Sequence, residues 1–187
     1  MSLPQVPKPA KLIISLLLKQ KQLILSITER LAEIFGPMDM VSPWFPFDFT
    51  SYYEPEMGKP LFRRIIVFRE LIQQDALSGI KGMTNAIEQR YSKDSKRCIN
   101  IDPGYLVHAR FVLATGKDYS HRIYIGDGIY ADLTLVYREG DFRPLPWTYP
   151  DYASQQMRAY LIRVRRKYSI DLISTASETQ KETGSEG

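Results

Sequence analysis

The stretch that decides the fold is Lys11-Leu12-Ile13-Ile14-Ser15-Leu16-Leu17-Leu18. Apolar residues occupy both alternating sets of positions, so a strand of these residues would be apolar on both faces. Strands of this kind lie in the interior of a sheet. The stretch is also much shorter than the roughly 18 apolar residues that a membrane-spanning helix needs. We therefore interpret residues 11–18 as a central, buried strand.

Helical periodicity follows this strand and returns twice. Apolar residues recur at helical spacing over residues 23–35, and Gly36 with Pro37 supplies a stop signal. Similar stripes predict a second helix over residues 75–91 and a third that includes Met157. Residues 41–53 are rich in aromatics and contain two prolines, which predicts an edge strand or an ordered loop. Residues 61–69 are predicted to form its strand partner.

Between the second and third helices, short apolar stretches alternate with turn signals such as Asp102-Pro103-Gly104 and Gly126-Asp127-Gly128. This pattern predicts an antiparallel meander over residues 98–149. The element order predicts an α+β fold with a mostly antiparallel sheet. The sheet would have a ferredoxin-like βαββα start, extended by the β-meander and followed by a C-terminal amphipathic helix.

Length and composition predict one folded domain with two peripheral segments. The chain has 187 residues, of which 44% are hydrophobic, enough for a single core. We assign residues 11–173 to this domain. Residues 1–10 contain three prolines and are expected to form an extended arm. Residues 174–187 are rich in Ser, Thr, Glu and Gly, which predicts a disordered tail.

Charge and cysteine content exclude several classes of protein. The formal net charge of +4 is smaller than is usual for domains that bind phosphate backbones. The single cysteine, Cys98, cannot form an internal disulfide, which predicts a reducing, cytoplasmic location. With one cysteine and two histidines we expect no zinc, haem or iron–sulfur cluster. We also expect no membrane insertion, and the oligomeric state stays open.

The register of one hairpin follows from its loop. A three-residue Gly126-Asp127-Gly128 loop predicts the cross-strand pairs Arg122–Asp132, Tyr124–Tyr130 and Ile125–Ile129. Each face of the hairpin is then chemically uniform. A two-residue loop in the same stretch would instead mix polar and apolar side chains on each face, which the pleat disfavours when one side is buried.

Five separated blocks of the chain resemble the domain of unknown function 4416 family. The blocks are Tyr52-Tyr53-Glu54-Pro55-Glu56-Met57-Gly58, Thr84-Asn85-Ala86-Ile87-Glu88, Asn100-Ile101-Asp102-Pro103-Gly104-Tyr105, residues 113–135, and Trp147-Thr148-Tyr149-Pro150-Asp151-Tyr152. The similarity spans nearly residues 10–170. Some family members carry the label GTP-binding protein. This chain has neither the G-x-x-x-x-G-K-[ST] loop nor an N-K-x-D element, so we expect no GTP binding of the P-loop kind.

Six polar residues are candidates for a ligand site. Lys81, Asn85 and Glu88 fall within about 40° of one another beside the apolar stripe of the second helix, although a solvated helix face would look the same. Arg122 opposite Asp132 could hold a phosphate or carboxylate, or form an ordinary cross-strand ion pair. Asp102 is either a turn residue or a further ligand group.

Three further residues are secondary candidates: Glu56, His121 and Tyr124. Glu56 adds to a set of carboxylate and amide oxygens that could hold Mg²⁺ or act as an acid–base pair if they converge. His121 is expected to be a packed or strand-end histidine rather than a general base. The aromatics near residues 44–53 and 147–152 could stack a base, although such segments more often fill a core or an interface.

Three functions from different classes remain open. The first is a binding site for a small ligand that bears a phosphate or carboxylate group, with a catalytic role left open. The second is an RNA-binding module, which would use exposed aromatic residues together with the basic residues of the last helix: Arg158, Arg163, Arg165, Arg166 and Lys167. The third is a protein–protein interaction module whose aromatic edge pairs with another chain.

Overall fold

A computed structural model describes residues 1–93 and 96–183 of the chain, with side chains described as far as residue 175. The elements, in chain order, are β1 (Ala10–Leu18), α1 (Ile24–Phe35), β2 (Met38–Val41), β3 (Phe45–Phe47), α2 (Glu54–Met57), β4 (Leu61–Ile72), α3 (Leu77–Arg90), β5 (Ser92–Lys93), β6 (Lys96–Arg97), β7 (Ile99–Val107), β8 (Arg110–Thr115), β9 (Arg122–Gly126), β10 (Ile129–Arg138), β11 (Asp141–Pro144), α4 (Pro150–Ala153) and α5 (Gln155–Thr183). The prediction of an α+β fold is confirmed.

Strand β1 lies inside a nine-stranded sheet. Seven of its strands follow the order β11-β10-β8-β7-β1-β4-β2, while β3 pairs with β4 and β9 pairs with β10. It pairs antiparallel with β4 on one side and with β7 on the other, as its apolar sequence predicts. The order β7-β1-β4-β2 is that of a ferredoxin-like sheet, in which α1 and α3 form the two crossovers. Strands β8, β10 and β11 then extend this sheet as an antiparallel meander.

Alternate residues of β1 face two different helical layers. Leu12, Ile14 and Leu16 pack with residues of α1 and α3, whereas Ile13 belongs to the cluster that contains the apolar face of α5. All of these side chains are almost completely buried, and each contributes about 1.5–3 kcal/mol of hydrophobic stabilisation. The sheet is therefore covered by helices on both faces around β1.

A buried ion-pair network ties β1 to β2 and α5. The Lys11 ammonium is 0% exposed and lies 2.7 Å from Asp39 and 2.6 Å from Asp171. Its third contact is the backbone oxygen of Arg69 at 3.1 Å. Burial alone would raise the pKa of Asp39, but hydrogen bonds from Lys11 and Lys167 bring that pKa below its usual value. The charges are thus compensated, as buried charges must be.

The β9–β10 hairpin confirms two predicted pairs and corrects the third. Arg122 lies opposite Asp132 and Tyr124 opposite Tyr130. However, Ile129 pairs with Gly126 rather than with Ile125, and the register shifts at this point. The turn is formed by the two residues Asp127 (φ 54°) and Gly128 (φ 73°), whose positive φ values suit a type I′ turn, and a bulge absorbs the extra residue.

The ladder between β7 and β8 ends early and leaves a fork in the sheet. Its last pair is Gly104 with Leu113, although β7 begins at Ile99 and β8 continues to Thr115. Pro103 has no N–H to donate to a neighbouring strand. The prediction of a turn at Asp102-Pro103-Gly104 is therefore wrong, because these residues lie within β7, where pairing with β1 keeps the backbone extended.

Close approach of the two strands at this point requires glycine. A Cβ atom at Gly104 would lie 2.3 Å from the backbone oxygen of Val112, which is far inside van der Waals contact. The fork therefore starts directly beside this close contact between β7 and β8.

The edge segment and the C-terminus differ in part from expectation. Residues 41–53 contain the end of β2 and all of β3, both in the edge position beside β4.

Helix α5 continues to Thr183, so residues 174–183 are helical although the sequence predicts a disordered tail. Residues 184–187 lie outside the described residues. Extending a helix that is already formed costs little free energy. No helix in the described part of the chain is long and apolar enough to cross a membrane.

Candidate functional site

The fork opens into a cavity of about 690 Å³. Side chains from α3 and the start of β7 line one side, and the end of β8 with β9 and β10 lines another. Aromatic residues of the segment after β3 and of α4 complete the wall. The cavity exists because two strands that would otherwise pair are held apart.

All six primary candidate residues line this cavity: Lys81, Asn85, Glu88, Asp102, Arg122 and Asp132. They come from a helix, a strand and a hairpin that are distant in sequence. The structure therefore brings the whole predicted set together. Their role in binding a ligand stays a prediction.

Lys81 and Glu88 satisfy backbone groups that the fork leaves without a strand partner. The Lys81 ammonium donates to the backbone oxygen of Ile101 at 2.8 Å. The Glu88 carboxylate accepts the N–H of Ile101 at 2.5 Å. Because backbone direction alternates along a strand, the nitrogen of Pro103 faces the same side and has no proton to satisfy. Helix α3 thus replaces the hydrogen bonds that β8 does not make.

Glu88 lies in an environment that disfavours its charged form. Burial raises the pKa of Glu88, and the nearby Asp102 carboxylate acts in the same direction. Lys81 at 3.9 Å, Arg97 at 3.5 Å and the hydrogen bond from Ile101 oppose this shift without cancelling it. The two Glu88 oxygens contact different protein groups: one accepts the Ile101 N–H and lies near Lys81, and the other lies near Arg97.

Among the carboxylates that line the cavity, Asp102 has the most exposed side chain, at 25%. One oxygen lies 3.6 Å from the Lys81 ammonium, and the other accepts a hydrogen bond from Asn100 at 2.6 Å. Arg63 lies 4.0 Å away. We call the connected groups the Asp102 network, whose members are Glu56, Arg63, Lys81, Glu88, Arg97, Asn100, Asp102 and Asp151.

Arg97 connects this network to the short helix α2. Its guanidinium forms a bidentate pair with Glu56, with both N···O distances 2.7 Å, and also donates to Asn100 at 2.9 Å. The hydrogen bonds from Arg97 lower the pKa of Glu56. Glu56 does not itself line the cavity, so this secondary candidate acts by fixing Arg97.

Arg63 and Asp151 form a buried ion pair that also lines the cavity. Arg63 Nε lies 2.6 Å from Asp151, and Arg63 Nη1 donates to the hydroxyls of Ser15 and Tyr152. Burial raises the pKa of the Tyr152 hydroxyl above its ordinary value. The sequence gives a signal for Arg63 that our sequence analysis missed: it shares a strand face with the apolar Leu61 and Ile65.

The remaining polar groups form a second cluster around Arg122. Its Nε donates to Asp132 at 2.9 Å, its Nη1 to the backbone oxygen of Lys117 at 3.0 Å, and its Nη2 to the Tyr149 hydroxyl at 3.1 Å. The guanidinium also lies over the ring of Tyr119, 4.6 Å from the centroid. We call this set the Arg122 cluster. Arg122 is buried and rigidly held.

Lys117 adds a second cation to this cluster. Its ammonium donates to the Tyr52 hydroxyl at 2.8 Å and lies 4.4 Å from the centre of the same ring. This hydrogen bond lowers the pKa of Tyr52. Lys117 forms no ion pair with any carboxylate whose side chain the structure describes, in residues 1–93 and 96–175. It lines the cavity and was not among the predicted site residues.

The other two secondary candidates lie outside the cavity. His121, immediately before β9, stacks between Tyr119 and Trp147, and its Nε2 lies 3.4 Å from Asp132. It is a packed histidine at a strand end, which matches the expectation. Tyr124 is exposed and contacts Tyr130. Neither residue reaches the cavity directly.

Among the described residues, no group of three or more His, Cys, Asp or Glu side chains is arranged to hold a metal ion. The carboxylates of the cavity instead pair with Arg and Lys. That Mg²⁺ could bind to this protein stays a prediction.

Comparison with known proteins gives one result. A family model described as domain of unknown function (DUF4416) matches residues 8–168. Comparison with curated proteins and with solved structures returned no match.

Proposed function

The chain belongs to the DUF4416 family, whose description states no activity, and we propose from the site itself that the cavity binds a small ligand bearing a phosphate or carboxylate group. The anionic group would contact Lys117 and Arg122. The observation that carries this proposal is the charge of the Arg122 cluster. As described, the cluster contains two cations that line the cavity, Lys117 and Arg122, and one carboxylate, Asp132.

The two cations offer complementary contacts to an anion. Asp132 occupies the Nε side of Arg122, so part of that positive charge is already compensated. Lys117 contacts a neutral hydroxyl, so its charge is available to a ligand. Hydrogen bonds from charged donors to phosphate or carboxylate are among the strongest that proteins make.

The size and rigidity of the cavity also support the proposal. Small-molecule sites typically enclose about 300–1,000 Å³ and combine an apolar wall with a few fixed polar groups. Here Tyr53, Tyr119 and Tyr149 contribute to the wall, and hydrogen bonds fix the polar groups. If the ligand also reacts, Asp102 is the carboxylate that lines the cavity with the most exposed side chain.

The RNA-binding alternative is less well supported, because three of the five basic residues that it would use contact the protein itself: Arg158 with Asp141, Arg165 with the backbone of His108, and Lys167 with Asp39. The interaction-module alternative would use the aromatic edge of residues 41–53, where β2 and β3 lie beside β4.

Thermal unfolding in the presence of simple anions tests the proposal. Methyl phosphate, pyrophosphate, acetate and citrate are compared with chloride at constant ionic strength. A ligand at 100 times its Kd stabilises the native state by about 2.7 kcal/mol, which raises Tm measurably. We expect at least one phosphate or carboxylate to raise Tm, and the increase to saturate.

Lys117→Met and Lys59→Met form a matched pair of variants for this test. Lys59 pairs with Glu54, has a 70% exposed side chain and does not line the cavity. The anion-dependent increase in Tm should be lost in Lys117→Met and kept in Lys59→Met. Equal responses of the two variants, or no response of the wild type to any anion, would contradict the proposal.

A further inference from the structure

The polar side chains of the cavity form two separate sets, the Asp102 network and the Arg122 cluster. Within the described residues, no hydrogen bond or ion pair joins the Asp102 network to the Arg122 cluster, although both line the same cavity. A ligand that fills the space between them therefore meets two different chemical environments. Its two ends need different functional groups.

The Asp102 network is not suited to a second anionic group. Its three cations, Arg63, Lys81 and Arg97, already face four carboxylates: Glu56, Glu88, Asp102 and Asp151. An added phosphate or carboxylate would meet carboxylates at close range without a free cation. A neutral group avoids this repulsion.

The hydrogen-bonding capacity that remains at this end is mixed. The Asp102 carboxylate is partly exposed and can accept a hydrogen bond. The Asn85 amide lines the cavity, one turn of α3 beyond Lys81, and makes no hydrogen bond to any described residue. An amide both donates and accepts. Hydroxyl groups, which also do both, match this combination better than any purely accepting or donating group.

We infer that the ligand is a polyhydroxylated molecule, such as a sugar or cyclitol, with one anionic group. The hydroxyls contact Asp102 and Asn85, and the anionic group contacts Lys117 and Arg122. Aromatic side chains of the wall, which combine an apolar ring with a polar tip, suit a ring that has both C–H faces and hydroxyls. This inference rests on the proposed function and specifies the ligand of the same cavity.

Calorimetry with matched pairs of probes tests the inference. Glucose 6-phosphate, ribose 5-phosphate and inositol 1-phosphate are compared with cyclohexyl phosphate, and glucuronate is compared with cyclohexanecarboxylate. The second comparison distinguishes a carboxylate from a phosphate ligand. Two hydrogen bonds to the protein should make at least one hydroxylated probe bind about tenfold or more tightly than its hydroxyl-free partner.

Variants of the protein test the contacts to the hydroxyl end and to the anionic end of the ligand separately. Asn85→Ala removes a side chain without a protein partner, so its Tm should stay near that of the wild type while the preference for the hydroxylated probe falls severalfold. Asp102→Ala should reduce the same preference. Lys117→Met should weaken both members of a pair by a similar factor.

The possible failures are distinguishable. If cyclohexyl phosphate or cyclohexanecarboxylate binds as tightly as every hydroxylated probe, the inference is wrong and the proposed function stands. The inference is equally wrong if the preference survives in both Asn85→Ala and Asp102→Ala. If no anionic probe binds at all, the proposed function fails together with the inference.

Discussion

Replacing Lys81 with methionine tests whether helix α3 holds the fork open through its polar side chains. The ammonium is buried, donates to the backbone oxygen of Ile101 and lies between the carboxylates of Glu88 and Asp102. Its loss leaves one carbonyl without a donor and two neighbouring carboxylates without their cation. Removing one partner of a buried ion pair costs about 3–5 kcal/mol. That cost is comparable to the whole stability of a marginal domain, about 5 kcal/mol.

A double-mutant cycle with Glu88→Gln, measured by urea unfolding, isolates the interaction. Glutamine keeps an oxygen that can accept the Ile101 N–H but removes one of the two carboxylates. We therefore expect the double variant to be more stable than the sum of the single effects predicts, by about 0.5–3 kcal/mol. Lys59→Met, at an exposed ion pair, should change stability by no more than about 0.5 kcal/mol. A cost below about 1 kcal/mol for Lys81→Met, or strict additivity in the cycle, would refute this reasoning.

Three further outcomes follow from the same contacts. Gly104→Ala should cost about 1–3 kcal/mol or more, because the new Cβ atom would lie 2.3 Å from the Val112 oxygen. Gly79→Ala, whose Cβ atom would have nothing within 4 Å, should instead stabilise α3 by up to about 1 kcal/mol. Similar effects of the two substitutions on the free energy of unfolding in urea would contradict the close approach of β7 and β8. The folded-state pKa of Glu88 is raised above 4.5, so the native state binds the Glu88 proton more tightly than the unfolded state does. The stabilisation that comes from this proton is present below pH 4.5 and is lost as the pH rises through the folded-state pKa. The stability of the wild type relative to Glu88→Gln should therefore fall with rising pH, and a rise would oppose the assignment. Lys11→Met should cost about 3–5 kcal/mol, since it leaves buried carboxylates without their central cation; an unchanged denaturation midpoint would show that the network is dispensable.

The fold was largely predictable because its main elements have strong local patterns. Residues 11–18 are apolar on both faces and form the strand β1 within the sheet, and the helical stripes correspond to α1, α3 and α5. The failures occur where tertiary pairing overrides a local signal. Pro103-Gly104 is a strong turn signal, yet pairing with β1 keeps it extended, and Ile125 falls in a bulge that the loop length alone did not specify.

The candidate site was predictable only in part. Lys81, Asn85 and Glu88 were identified because they border an apolar helix stripe, and the structure places all three at the cavity. Arg63 and Lys117 were missed for different physical reasons. Arg63 occupies an apolar strand face, where its charge is compensated by a residue 88 positions later, Asp151. Lys117 follows β8 in a connecting segment, and its position at the cavity depends on where the β7–β8 ladder stops.

The central claim is that the cavity at the fork binds an anionic ligand through Lys117 and Arg122. An amide NMR titration of isotope-labelled protein with methyl phosphate, at constant ionic strength, tests this claim most directly because it locates the binding site. The account predicts saturable shifts for residues 115–122 and for Tyr149, with little change along the basic face of α5. Shifts confined to Arg163, Arg166 and their neighbours, or no saturable shift at the fork, would contradict it.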